Sequence, residues 1–269
     1  MKIAFLGGGN MANALIGGLL ARGFDARAIS VIELSPAARE RLAAHRVRVS
    51  TAPDAATGGA DVLVLAVKPQ DMKRALASLG GATHGKLVIS IAAGVRVALL
   101  SRWLGGHLKI VRCMPNTPAL IAAGITGLYA PPEVTAEERK QAEQVLAAAG
   151  ELVWVGDERL VDVVTAVSGN GPAYVFWLME QLAAFAARSG IAPQDAQRLA
   201  LHTVLGAAKL AAGSAEPPSA LRRNVTSKGG TTEAALKAFE AEQLAERLAR
   251  ALEAAVRRGG ELGEELGKD

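Results

Sequence analysis

The sequence predicts an α/β domain over residues 1–158 followed by an all-helical domain over residues 159–269. From Met1 to about Val155, short runs rich in Val, Ile and Leu alternate with helical patterns, as in a parallel sheet flanked by helices. Beyond about Leu160 those runs give way to Ala-rich helical patterns. A glycine-rich turn, Gly7-Gly8-Gly9, separates the first β-like run from the first helical one.

Eight strands are expected: 2–6, 28–33, 47–49, 62–67, 87–90, 109–113, 126–130 and 151–155. Most lack polar alternation, which fits strands covered on both faces. Between them the helix starts are marked. Ser35-Pro36 offers an N-cap with proline at the first helical position, and Thr135-x-x-Glu138 is a capping box opening a helix that ends at Gly150. In the second half, helices are expected over 173–189, 193–212, 218–224, 232–239 and 243–266, with 213–218 a short loop. The first two are apolar over more than the single stripe a surface helix needs, so they are expected to pack against a partner helix, including one from a second subunit.

Half of the 269 residues are hydrophobic, 21% are charged and 4% aromatic, a composition that suits a globular enzyme and not a disordered or fibrous chain. The excess of 30 basic over 26 acidic residues is scattered, with no basic run of the kind that binds nucleic acid. Cys113 is the sole cysteine, which excludes an intrachain disulfide and any C-x-x-C redox or zinc pattern. Lys2 and the apolar residues after it resemble a signal peptide, but Gly7-Gly8-Gly9-Asn10 interrupts the stretch, and no apolar run approaches the ~20 residues that span a bilayer. A soluble, cytoplasmic protein with no membrane partner is expected.

The run Lys2–Leu6 enters Gly7-Gly8-Gly9-Asn10-Met11-Ala12, a G-x-G-x-x-A pattern between a strand and a helix. That is the context of the dinucleotide fingerprint. Gly7 allows the tight turn, Gly9 lets backbone N–H groups approach a pyrophosphate, and Ala12 permits close helix packing, with the phosphates at the positive end of the helix. Glu33 ends the second strand, where a carboxylate accepts hydrogen bonds from the adenosine ribose and repels a 2′-phosphate. It leans toward NADH, while Arg39 and Arg41 nearby pull the other way, so the expected cofactor is NADPH or NADH. Ala66-Val67-Lys68-Pro69-Gln70 forms a second loop at the carboxyl edge of the sheet. The candidate cofactor contacts are therefore Leu6, Gly7, Gly9, Asn10 and Met11, then Glu33 and Ser35, then Ala66, Val67, Lys68 and Pro69. Arg112-Cys113-Met114-Pro115-Asn116-Thr117-Pro118 follows another strand, and its two prolines set a rigid turn suited to walling the nicotinamide pocket. Cys113 lacks a partner base and reads as a small buried hydrophobe.

Two polar, glycine-rich segments interrupt the helical half: Ser168-Gly169-Asn170-Gly171-Pro172-Ala173-Tyr174 and Asn224-Val225-Thr226-Ser227-Lys228-Gly229-Gly230-Thr231-Thr232. Each precedes a helix, where exposed N–H groups suit a carboxylate and the Thr hydroxyls add donors; ordinary helix capping is the competing reading. With GGGNMA at 7–12, AVKPQ at 66–70, RCMPNTP at 112–118, SGNGPAY at 168–174 and NVTSKGGTTEAAL at 224–236, the chain resembles the pyrroline-5-carboxylate reductase family from end to end. The resemblance implies an N-terminal Rossmann-type dinucleotide-binding domain, an all-helical dimerisation domain, and reduction of an imino acid, L-1-pyrroline-5-carboxylate, to L-proline. It also implies a homodimer, with rings of dimers in some members.

By the same resemblance, Thr231, Thr232, Gly230 and Glu158 are the candidate substrate-binding residues, Thr232 and Ser227 the candidate catalytic ones, and Asn224 a cofactor contact. Three positions depart from the family pattern. Asn170 replaces a serine, Lys228 replaces the proline of SPGG, and Pro53-Asp54 stands where an asparagine commonly meets the cofactor. Hydride transfer to a protonated imine needs orientation more than a strong base, which suits a site built of Gly, Ser and Thr. The histidines, His45, His84, His107 and His202, lie outside these segments and none shows metal spacing, so no metal is expected. A reductase of β-hydroxyacid dehydrogenase type needs a lysine or histidine base, for which Lys228 is the candidate; a noncatalytic nucleotide-sensing module has no need of NVTSKGGTT.

Overall fold

The structure is a computed structural model that describes residues 1–268. The chain divides into two compact units, one comprising Met1–Asn170 and the chain from Ala255 onward, the other Gly171–Ala254.

The first unit is built on a single eight-stranded sheet in the order β3-β2-β1-β4-β5-β6-β7-β8. The strands are β1 (Ile3–Leu6), β2 (Ile29–Ile32), β3 (Arg48–Ser50), β4 (Val62–Leu65), β5 (Leu87–Ser90), β6 (Ile110–Met114), β7 (Gly124–Tyr129) and β8 (Gly150–Trp154). All eight expected strands form. β1, β2, β4 and β5 are buried at every position. Their side chains feed two cores, one containing Ile3 and Phe5 with Leu15 and Ile16, the other Ala4 and Leu6 with Met72 and Leu100. This two-sided burial explains why the strands carry apolar runs without alternation.

Helix α1 (Asn10–Ala21) follows β1, α2 (Pro36–Ala43) follows β2, α3 (Ala55–Gly58) follows β3, α4 (Pro69–Ala77) follows β4, and α5 (Val97–Trp103) follows β5. Ser35 caps α2 as expected, accepting the Ala38 N–H. The capping box predicted at the start of α6 (Ala136–Leu146) is present in both directions between Thr135 and Glu138.

The sheet is parallel as expected except at one pair. β6 and β7 pair antiparallel, Arg112 opposite Tyr129 and Met114 opposite Gly127. A parallel crossover needs a dozen or more residues, usually a helix, whereas the link between these strands holds only a 3-10 turn, Thr117–Ile121, entered through the prolines of the RCMPNTP segment.

The division between the units falls later than the expected boundary at 158/159. Helix α7 (Leu160–Val164) and the π-helical turn Thr165–Gly169 that continues it belong to the first unit. Val161 and Ala166 are buried, and Asp162 reaches Arg112 of β6. The chain also returns at its end: within the first unit, Arg102 of α5 donates to the Gly267 carbonyl at 3.0 Å, and Leu266 packs on the second core.

In the second unit, α8 (Gly171–Arg188) and α9 (Pro193–Ala212) form a helical hairpin, followed by α10 (Pro218–Asn224), α11 (Thr231–Ala241) and the first part of α12 (Leu244–Gly267). No residue of α8 is buried, and Phe176, Trp177 and Phe185 are 60%, 59% and 66% exposed. Leu199, Leu201 and Leu210 of α9 are exposed as well. Both helices of the hairpin therefore carry large exposed apolar side chains. Among the described residues, no helix is long and apolar enough to cross a membrane, and no group of three or more His, Cys, Asp or Glu is placed to hold a metal ion.

Candidate functional site

The nucleotide end is a cleft of about 600 Å³ in the first unit, bordered by Leu6, Gly7 and Gly9, by Ile32 to Ser35, by Thr51 to Pro53, and by Ala66 to Lys68 with Asp71 and Arg74 of α4. It lies where β1, β2 and β4 deliver their carboxyl ends, the edge at which doubly wound folds bind ligands. The fingerprint geometry is explicit at two glycines. Gly7 has φ +99°, and a Cβ there would sit 2.8 Å from the Ala66 carbonyl carbon and oxygen. Gly9 is the N-cap of α1, makes no side-chain cap bond, and would meet nothing within 4 Å. The start of α1 is therefore uncapped by any side chain and open beside Gly9, the setting in which helix N–H groups take a phosphate.

Glu33 is more firmly held than its sequence position implies. One carboxylate oxygen accepts the Gly8 N–H at 2.7 Å and the other the Ser35 N–H at 2.6 Å. It pins the glycine turn to the start of α2, and a carboxylate's four acceptor sites leave capacity for ribose hydroxyls. Arg39 turns back to the Leu34 carbonyl at 2.6 Å. Ser35 lies at the cleft rim as the α2 cap, and Lys68, exposed, precedes Pro69 at the start of α4. Asn10 is exposed at the first position of α1, while Met11 turns inward against the core. Of the departing pair, Pro53 borders the cleft, whereas Asp54 caps α3 through the Ala56 and Thr57 N–H groups and pairs with Arg48 at 2.8 Å. The Thr57 backbone bond is the main cause that holds the Asp54 carboxyl below the usual carboxylate range.

The RCMPNTP turn leaves the same edge of the sheet. Asn116 anchors it, its amide donating to the Ser168 carbonyl at 3.2 Å and its oxygen accepting the Ile125 N–H at 2.9 Å. Gly169 lies so close to Met114 that a Cβ would approach its terminal methyl to 2.7 Å. Cys113 is buried, its thiol directed at the Ser90 carbonyl and its pKa pushed up by burial, as befits a packing residue.

Glu158 belongs to the first unit and is tied down there. One oxygen accepts the Val97 N–H at the start of α5, at 2.7 Å, and faces Arg112 at 3.3 Å. Arg112 in turn meets Asp162 at 2.6 Å. Sequence reasoning placed Arg112 and Asn116 only as members of the turn segment 112–118 and assigned no role to Asp162. The available signal was a charge inside each of two apolar runs, Ile110-Val111-Arg112-Cys113-Met114 and Leu160-Val161-Asp162-Val163-Val164, since a charge in a buried element requires a partner.

In the second unit the NVTSKGGTT segment joins α10 to α11. Asn224 ends α10, its amide donating to Glu216 at 2.9 Å, a partner that sequence reasoning also missed. The Gly230 N–H returns to the Ser227 carbonyl at 3.0 Å, with Gly229 at φ +74°. A positive-φ glycine in the third place is what a type II turn requires, and proline is favoured in the second. Lys228 holds that second place, so the departure from SPGG leaves the turn intact while giving up a preset φ.

Helix α11 then begins with no side-chain cap: Gly230 is the N-cap, Thr231 and Thr232 are the first two helical residues, and both are exposed, as is Ser227. The Gly229 N–H is taken by Glu233 at 2.6 Å. The Thr hydroxyls thus stand at the positive end of an 11-residue helix whose N-cap makes no side-chain bond.

A family model described as pyrroline-5-carboxylate reductase dimerisation matches residues 158–262, and one described as NADP oxidoreductase coenzyme F420-dependent matches residues 2–94. The chain is 46% identical to the pyrroline-5-carboxylate reductase of Pseudomonas aeruginosa, over 99% of this chain and 98% of that one. Among solved structures, a pyrroline-5-carboxylate reductase from Coxiella burnetii is similar with a TM-score of 0.91 at 40% identity, covering 97% of this chain and 98% of the other. The Plasmodium falciparum pyrroline carboxylate reductase with NADP bound gives 0.83 at 26% identity, covering 98% of each. The cleft, the open helix start and these likenesses agree, and the chain belongs to the pyrroline-5-carboxylate reductase family.

Proposed function

We propose that this protein reduces L-1-pyrroline-5-carboxylate to L-proline at the expense of NADPH or NADH, the last step of proline biosynthesis. The observation that carries the reading is the 46% identity to the Pseudomonas reductase over 99% of the chain, which takes in both the dinucleotide cleft and the Thr231-Thr232 helix start.

The cleft fits a nicotinamide dinucleotide, because Gly7 and Gly9 keep it open and α1 presents unpartnered N–H groups to a pyrophosphate. Leu6, Asn10, Met11, Glu33, Ser35, Ala66, Val67, Lys68 and Pro69 are the further proposed contacts, with Asn224. When bound, the cofactor supplies the hydride. The start of α11 grips the substrate carboxylate through its free N–H groups, with Gly230 and Thr231 at the contact. Thr232 donates to the ring nitrogen as hydride addition to the imine carbon moves the C=N electron pair onto that nitrogen, with Ser227 in the turn that leads into the helix. Glu158 adds negative charge for the cationic product. No residue of this set is a strong base, and none is needed when the imine is already protonated.

An assay of NADH and NADPH oxidation at 340 nm against a panel of imino, keto and hydroxy acids tests the reading. Turnover is expected with pyrroline-5-carboxylate, and its absence with both cofactors overturns the assignment. Glu33→Ser is expected to relax discrimination against NADPH; a wild type that already prefers NADPH would contradict the electrostatic role given to that carboxylate.

The exposed aromatic face of α8 and the leucines of α9 are the proposed homodimer surface, and rings of such dimers are a further expectation. A cytoplasmic location completes the proposal. Phe185→Glu, which places a charge in that face, is expected to shift sedimentation toward monomer at micromolar concentration and to lower activity with it.

A further inference from the structure

We propose that Arg112 is a positioning residue for the reduction. By bracketing Glu158 and Asp162 it fixes the turn 114–118, which leaves the same carboxyl edge of the sheet as the dinucleotide cleft. The proposal rests on the function just proposed and adds a residue to it.

Arg112 is only 1% exposed, on a strand whose other members are Ile110, Val111, Cys113 and Met114. Its Nη1 faces Glu158 Oε1 at 3.3 Å and its Nη2 faces Asp162 Oδ1 at 2.6 Å, while Nε has no protein acceptor. The same Glu158 oxygen takes the first N–H of α5 at 2.7 Å. One guanidinium therefore joins β6 to the loop before α7 and to α7 itself, and Glu158 extends the link to the start of α5.

Two residues further along β6 the turn begins, and there Asn116 makes a second attachment to the same helical segment, at the Ser168 carbonyl. The turn is thus fastened to α7 and its π-helical continuation at two points, just before its start and at its middle residue. π-turns within helices are frequent at functional sites. Stability does not account for the bracket, because a buried ion triad is commonly no more stabilising than apolar residues of equal volume. Geometry does. The planar fork holds two carboxylates in fixed directions, which the rotatable donors of an ammonium do not set.

Arg112→Lys keeps the charge and loses the fork, and Asp162→Asn keeps the shape and loses the charge. Each is measured for melting temperature, for NADPH affinity without substrate, for the emission of bound NADPH, and for kcat and KM with pyrroline-5-carboxylate. Affinity is expected to change little, because the adenosine half of the cleft is untouched. The emission of bound NADPH is expected to move toward that of free NADPH, and kcat to fall by about 10- to 100-fold, the scale of a misplacement near 1 Å. Asp162→Asn is expected to show the same pattern more weakly.

Variants that melt earlier yet keep wild-type emission and kcat per folded molecule would overturn the positioning role. Wild-type protein inactive on pyrroline-5-carboxylate would sink the functional reading instead, and the emission change in Arg112→Lys would still decide the bracket.

Discussion

Thr232→Ala is expected to lower kcat/KM for pyrroline-5-carboxylate by one to two or more decades while leaving cofactor affinity and melting temperature nearly unchanged. Thr232 is the second residue of α11 and exposed, and the helix is capped by no side chain. Its hydroxyl is thus free to serve substrate. Loss of a donor aimed at the nitrogen lone pair that develops in the transition state costs about 2–4 kcal/mol, and each ~1.4 kcal/mol is a factor of ten in rate. Loss of a helix cap would cost about 1 kcal/mol of folding stability instead. Steady-state kinetics and thermal melts on the same preparation separate the two. A variant that loses stability but keeps kcat/KM would reduce Thr232 to a structural residue, and the proton donor would then be sought in Ser227, Glu158 or bound water.

Gly9→Asp is expected to move stability and binding in opposite directions. Gly9 is the N-cap of α1 with φ −66° and ψ −174°, a conformation open to any residue, and a Cβ there meets nothing within 4 Å. Aspartate is among the preferred N-caps and improves on glycine by a few tenths of a kcal/mol, so the melting temperature should hold or rise. The same carboxylate would occupy the open space at the start of α1 and confront a pyrophosphate at close range. At an effective dielectric near 20, two unit charges about 4 Å apart repel by about 4 kcal/mol, which places the loss of NADPH affinity at about two to three decades. Calorimetric titration with NADPH, alongside a melt, reads both effects. Undiminished affinity would show that the α1 N-terminus does not hold the phosphates.

The elements themselves were legible because each carries a local signature. Apolar runs of four or five residues, punctuated by Ser35-Pro36 and by the Thr135–Glu138 box, mark strands and helices at nearly their observed places. The glycine turn and the start of α11 were equally legible as local structure, since a Cβ at Gly7 would meet the Ala66 backbone and Gly230 leads into an exposed helix start. Glu216 escaped because nothing in its neighbourhood marks it as the partner of Asn224 eight residues on.

What the sequence by itself determined is therefore the division into α/β and helical halves, the position of the dinucleotide turn, and the threonine-led helix. Local backbone preference and the period of burial encode these residue by residue. Only the tertiary structure decided the reversed direction of β7, the return of the C-terminal chain to the first unit, the backbone partners of Glu33, and the bracket at Arg112. Arg112 lies 46 and 50 residues from its two carboxylates. A buried charge announces in sequence that it must be paired, but which carboxylate it meets is settled only when distant elements pack, because the pairing depends on spatial position and leaves no periodic trace along the chain.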